Sequence, residues 1–161
     1  MDTAIVAVAQ YLLYILAAVA AVVWLLLGLR GKVVLAGQSV VALVLVGIGI
    51  TVAAALHSDP RPFVHDPHSV AMFAHAADNG FPSDHSTAAG MLAVLVFCYR
   101  RLLGVLVGVG AVLVAVARVA AHVHHGQDVV AGLLIGAVAA AVAVWVVNRV
   151  AAVVGRRGET V

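Results

Sequence analysis

The sequence predicts an all-α integral membrane protein, a bundle of about five transmembrane helices forming one membrane-embedded domain over residues 1–161. Three observations lead there. Hydrophobic residues make up 65% of the chain and charged ones only 10%, against about 45–50% and 25% in a soluble domain. Apolar runs of about 20 residues, enough to cross a bilayer, recur along the chain. The charged and titratable residues are gathered into short islands between those runs.

Each span has its own boundaries. The first runs from about Thr3 to Leu29, and a basic turn with Gly28, Arg30, Gly31 and Lys32 follows. Because Met1-Asp2-Thr3 lacks a positive n-region, this span is expected to be a retained anchor rather than a cleaved signal. The second covers about Val33 to Leu56. A stretch from His57 to Asp84, rich in His, Asp and Pro, separates it from a third span between His85 and Tyr99. That third span is short for a crossing and is expected to begin within the polar stretch. Arg100-Arg101 forms the next turn, and span four runs from about Leu102 to Val123. His124-His125-Gly126-Gln127 breaks the pattern before span five, from about Asp128 to Val147, and Arg149, Arg156 and Arg157 belong to a short frayed tail. Gly47, Gly49, Gly108 and Gly110 are expected to let helices approach closely.

The charges are not shared equally between the two faces. With five crossings, seven of the nine Lys and Arg residues fall on one face, and the other holds Arg61, Arg118, all eight histidines and all six aspartates. The positive-inside rule puts the basic face in the cytoplasm and the N-terminus outside the cell membrane. It also accounts for the pI near 9.1. The basic residues form no continuous patch, so nucleic acid is not an expected partner. Cys98, the single cysteine, excludes an internal disulfide.

The two arginines that break the charge rule belong to three polar islands: Arg61-Pro62, Pro82-Ser83-Asp84-His85, and Arg118-x5-His124-x3-Asp128. Holding a titratable group at membrane depth costs about 2.5–3.5 kcal/mol or more, so such groups persist where they do work. The topology brings all three islands to the outer membrane–water interface. Two guanidinium groups converging there suit a phosphate, which they grip with paired donors. Ser83, just before span three, can add a hydroxyl and free backbone N–H groups at a helix start. Asp128, four residues after His124, can hold one imidazole nitrogen protonated and leave the other as a nucleophile. His85 is then the general acid.

In the order and spacing of these islands the chain resembles the type 2 phosphatidic acid phosphatase family, over about residues 54–132. Pro82-Ser83-Asp84-His85 and Arg61-Pro62-Phe63-Val64 resemble the undecaprenyl-diphosphate phosphatases of the bacitracin-resistance type. The resemblance implies a lipid phosphatase releasing phosphate from a polyprenyl diphosphate. It implies His124 as the residue phosphorylated, Asp128 as its orienting partner and His85 as the proton donor. It also implies that Arg61, Ser83, Asp84 and Arg118 form the phosphate site and that neither metal nor cofactor is required. Two positions depart from the pattern. The usual lysine seven residues before Arg61 is Ala54, and the residue before Arg118 is Ala117 rather than serine. His57 is a candidate accessory cation in place of that lysine, one helical turn from Arg61 if span two extends so far.

Other readings compete. The phosphate could come from phosphatidic acid, phosphatidylglycerol phosphate or a polyprenyl-phosphosugar phosphate. A metal-handling or accessory membrane protein with a degenerate phosphatase core is the alternative that is not an enzyme. His65, His68, His75, Asp66 and Asp78 would supply such a metal site, but their spacing fits no closed zinc pattern. The apolar span centres argue against a transport path. His122 and His125 read as loop residues, and Phe63, Phe73 and Phe81 as headgroup anchors. The oligomeric state is left open.

Overall fold

The computed structural model describes residues 2–66 and 68–158. Six helices follow in order: α1 (Asp2–Leu25), α2 (Leu29–Leu56), the single turn α3 (Pro62–His65), α4 (Asp84–Tyr99), α5 (Arg101–Ala120) and α6 (Gly126–Gly158). Four of them, α1, α2, α5 and α6, are long and apolar enough to cross a membrane. The fold is the all-helical membrane bundle that the composition predicts.

α4 is the exception in length. Its 16 residues span about 24 Å at 1.5 Å per residue, short of a hydrocarbon core near 30 Å. It begins at Asp84, not earlier in the polar stretch. Short as it is, α4 is the centre of the bundle. Its Ala89 and Val96 pack against Leu16 and Val23 of α1 and Val107, Ala111 and Val114 of α5. Its Met91 and Leu95 pack against Leu35 and Ala42 of α2 and Ala140 and Ala143 of α6. In lipid, helices associate through close van der Waals packing of small residues rather than through hydrophobic burial. Close approaches occur at Gly90, Gly104, Gly132 and Gly136, where a Cβ would collide with the backbone of Leu133, Phe97, Ser83 and Thr87 respectively. Gly47 and Gly108 face open space instead, so among the four glycines named from sequence only Gly49 and Gly110 sit against a neighbour, Ile135 and Leu16.

The connections differ from the sequence expectation in three places. The α1–α2 turn is Leu26–Gly28, so Arg30 and Lys32 lie in the first turn of α2, where the Lys32 ammonium stacks 5.5 Å from the Trp24 ring centroid. Arg100 alone joins α4 to α5: its N–H ends one helix on Val96 and its carbonyl starts the next on Gly104. α6 continues well past Val147, and Arg149 lies within it, stacked on Trp145. The side chains of Arg156 and Arg157 lie outside the described residues.

This chain path brings the N-terminus of α1, the C-termini of α2 and α5, and the N-termini of α4 and α6 to one end. A third cluster, of Ala9, Ala117, Ala121 and Val123 with Phe63, Met72 and Phe73, closes that end. The basic residues Arg30, Lys32, Arg100, Arg101 and Arg149 occupy the opposite end.

Candidate active site

At the polar end, a cavity of ≈ 320 Å³ is lined by Arg61, Asp84, His85, Arg118 and His124, together with Ala54, His75 and Asp78. The three islands, up to 67 residues apart between Arg61 and Asp128 in sequence, therefore meet. The local structure explains how each side chain arrives. Arg61 caps the single turn α3, with Pro62 at its first position. Ser83 caps α4, its Oγ accepting from the Ser86 N–H at 3.5 Å, and its own N–H donates to the Asp128 carbonyl at 3.0 Å.

α5 ends in a Schellman motif. The N–H of His122 bonds to the Val119 carbonyl at 2.9 Å, and that of Val123 to the Arg118 carbonyl at 3.3 Å. His122 takes the left-handed conformation there, with φ 58°, where glycine is usual. The reversal folds His124 back over Arg118. α6 starts only at Gly126, so His124 precedes the helix, while Asp128 sits in its first turn. The Asp128 Oδ2 accepts the backbone N–H of His125 at 2.8 Å, one half of a capping box.

The imidazole of His124 is 3% exposed. Its Nδ1 lies 3.0 Å from the Gly80 carbonyl and 3.4 Å from Asp128 Oδ2. Both are acceptors, so Nδ1 carries the proton. Its Nε2 lies 3.2 Å from Arg61 Nη1 and 3.3 Å from Arg118 Nη2. Guanidinium nitrogens only donate, so Nε2 presents its lone pair to them. Burial lowers the pKa of His124 below the usual 6.5, and Arg118 and Arg61 push the same way against the hydrogen bond and charge of Asp128. The ring is neutral at neutral pH, with a basic nitrogen between two cations.

Both arginines are almost fully buried. Arg61 donates from Nε to Asp78 at 2.7 Å and from Nη1 to the Val123 carbonyl at 2.8 Å. This hydrogen bond holds the Asp78 carboxyl below its ordinary pKa. Arg118 donates from Nη2 to His75 Nε2 at 2.7 Å, stacks on Phe73 and leaves Nε without a partner. Burial and then the two arginines lower the pKa of His75.

His75 and Asp78 are cavity residues that sequence reasoning assigned to a metal alternative; they sit in an aperiodic stretch with no motif to mark them. Asp84 is exposed at the rim, and as an acceptor-only carboxylate it can meet a phosphate only through its backbone N–H. His57 does not itself line the cavity. α2 ends at Leu56 and His57 turns into extended backbone with φ −145°, so the helical register with Arg61 does not form. Its ring packs edge-on against Phe81 at 4.7 Å. Ala54 does line the cavity, and no cation fills the place of the family's lysine. Phe63 and Phe73 pack into the closing cluster.

The sequence model of the PAP2 superfamily matches residues 7–151. The chain belongs to that superfamily. It is 32% identical over 137 residues to the bacitracin transport permease protein BcrC of Bacillus licheniformis, covering 85% of this chain and 67% of that one. It is 28% identical over 138 residues to the undecaprenyl-diphosphatase BcrC of Bacillus subtilis, covering 84% and 69% respectively. Among solved structures, that of Aquifex aeolicus LpxE superposes with a TM-score of 0.72 at 21% identity, covering 88% of this chain and 84% of that one. The fold is thus shared with a protein of low sequence identity. This PAP2 protein is a multi-pass membrane lipid phosphatase, and so a hydrolase.

Proposed function

We propose that the enzyme hydrolyses a polyprenyl diphosphate to the monophosphate at the outer membrane face, through a phosphohistidine. The observation that carries this reading is the orientation of His124. Its protonated Nδ1 is held by the Gly80 carbonyl and Asp128, and its free Nε2 points between two guanidinium groups.

A terminal phosphoryl group held by Arg61 and Arg118 brings its phosphorus to Nε2. The imidazole attacks, the bond from that phosphorus to the bridging oxygen breaks, and His85 supplies the proton that the departing polyprenyl monophosphate takes. Water then attacks the phosphohistidine, His85 recovers a proton from it, and inorganic phosphate leaves. Arg61 and Arg118, with the Ser83 helix start, stabilise the charge that develops on the phosphoryl oxygens. The identity with the two BcrC proteins supports the diphosphate. The absent cation at Ala54 leaves fewer positive charges for two phosphates, which favours a single-phosphate lipid as the second reading.

The test is phosphate release from purified polyprenyl diphosphate, phosphatidic acid, phosphatidylglycerol phosphate and a polyprenyl-phosphosugar phosphate. A preference for the first, with an acid-labile, base-stable phosphoenzyme, is expected. Preference for a glycerophospholipid would overturn the substrate while sparing the chemistry. Turnover is expected to persist in a strong chelator. Dependence on Mg²⁺ or Zn²⁺ would implicate Asp59, His125 and Asp128, whose ligand atoms lie within 4.8 Å of one another. Cysteines placed at Asp66 and Arg156 are expected to label from opposite sides of intact cells.

A further inference from the structure

Asp59 belongs to none of the three islands, yet it touches the support of His124 from both sides. Its backbone carbonyl accepts the N–H of Gly80 at 2.9 Å, and its own N–H donates to Asn79 Oδ1 at 2.9 Å. A single bridge between Pro60 and Asn79 completes this join. The segment so fixed presents the Gly80 carbonyl that accepts from His124 Nδ1. Meanwhile the Asp59 side chain accepts from Gln127 Nε2 at 2.6 Å and lies 2.9 Å from His125 Nδ1. These two residues flank the start of α6, and the His125 N–H in turn holds Asp128 Oδ2. One residue therefore links both acceptors of the His124 Nδ1–H.

The placement has an electrostatic cost. Two carboxylates this close repel, and Asp59 and Asp128 bring oxygens within 4.8 Å. The amide of Gln127 donates to Asp59 and offsets part of it.

We propose that Asp59 is a positioning residue: it sets the separation of the Gly80 carbonyl and Asp128, and through them aims His124 Nε2 at phosphorus. This rests on the nucleophile assignment above but not on which lipid is cleaved.

The test compares Asp59→Ala, Asp59→Asn and Asp59→Glu in the full chain, with Asp66→Ala as a control on the outer stretch. Asparagine keeps an oxygen for Gln127 and the same reach, whereas alanine keeps only the backbone links. Asp59→Ala is expected to lower kcat about 10- to 100-fold, as a misplacement near 1 Å does, with KM within about twofold, and Asp59→Asn to recover most of the loss. Asp59→Glu, which moves the carboxylate by one methylene, is expected to fall between and serves if the alanine variant does not fold. In ¹⁵N-histidine NMR, the ring N–H signal of His124, assigned by its loss in His124→Gln, is expected to move in Asp59→Ala and return in Asp59→Asn. Unchanged kcat per folded molecule, a loss confined to KM, or an unmoved His124 signal would overturn the proposal. Should no lipid phosphate be turned over, the nucleophile reading fails, and the NMR comparison still decides whether Asp59 positions the ring.

Discussion

The two ends of the bundle both carry polar groups on or between transmembrane helices, and they do so differently. At the basic end, Gln38 is 1% exposed; its Nε2 donates to Asn148 at 2.9 Å and its Oε1 accepts from Tyr99 at 2.8 Å. That cluster ties α2, α4 and α6, and none of its atoms is left buried without a partner. At the other end, Arg118 Nε, Asp128 Oδ1, His75 Nδ1 and Ser86 Oγ are buried and unpartnered. An orphaned polar group costs about 1–3 kcal/mol. The comparison teaches that a structural polar cluster closes on itself, whereas the candidate site keeps open valences, among them that of Arg118 Nε, and two like-charged guanidiniums whose charge an anion would balance.

The largest expected effect breaks the open end at its proposed nucleophile. His124→Ala removes the attacking nitrogen, and turnover is expected to disappear while the protein folds. Asp128→Asn should lower kcat by about 10²–10⁴, because an amide no longer fixes the Nδ1 tautomer. The Gly80 carbonyl remains as the nearer acceptor, which places the expected loss toward the lower figure. Steady-state kinetics on each variant checks both, and an active His124→Ala enzyme would remove the nucleophile from the mechanism.

A second prediction follows from the buried cations. The proposed attack requires neutral His124, whose pKa lies below 6.5, so the reactive form of this group is populated at pH 6.5 and lost as pH falls further. The acid limb of kcat/KM, which reports the free enzyme, is expected below pH 6.5, with rates falling tenfold per unit beyond it. A limb at or above 6.5 would contradict the burial argument.

The contrast between the ends also explains what could be read from sequence. The helices were legible because long apolar runs admit no other structure in lipid. Arg61, His85, Arg118, His124 and Asp128 stood out because charge is costly there, and topology alone brought them to one end. The partners of those residues were not legible. His75, Asp78, Gly80 and Asp59 lie in a stretch without period, where contacts depend on the folded path rather than on spacing. The expected register of His57 with Arg61 does not form, because the chain turns extended after Leu56. The Gln38–Asn148 pair, 110 residues apart, left no local signal at all.

A smaller effect is expected at the hinge of the open end. His122 holds φ 58° in the Schellman motif that aims His124. His122→Gly and His122→Val both lose the contact of Nδ1 with the Val70 carbonyl, so that loss cancels between them. They differ in backbone strain, which disfavours a side chain with a left-handed φ by about 1–2 kcal/mol per residue. The glycine variant is expected to be more stable by about that amount, read as thermal unfolding in detergent, and to retain turnover. Equal stability of the two would show that the loop relaxes out of the left-handed region at little cost.

The smallest effect belongs to the closed end. Gln38→Leu is close in size to glutamine, removes both hydrogen bonds and leaves the Tyr99 hydroxyl and Asn148 amide to find others. Interhelical hydrogen bonds in membranes average about 0.6 kcal/mol and reach about 1.7, so a loss of stability in that range is expected. Because this cluster sits at the far end of α4 from Ser83 and His85, kcat per folded molecule should be unchanged. That pairing of outcomes, stability lost and rate kept, is the reverse of what Asp128→Asn should give. If Gln38→Leu lowered kcat as strongly as it lowered stability, the two ends would be coupled through α4. The closed cluster would then be part of what holds the site rather than a separate clamp.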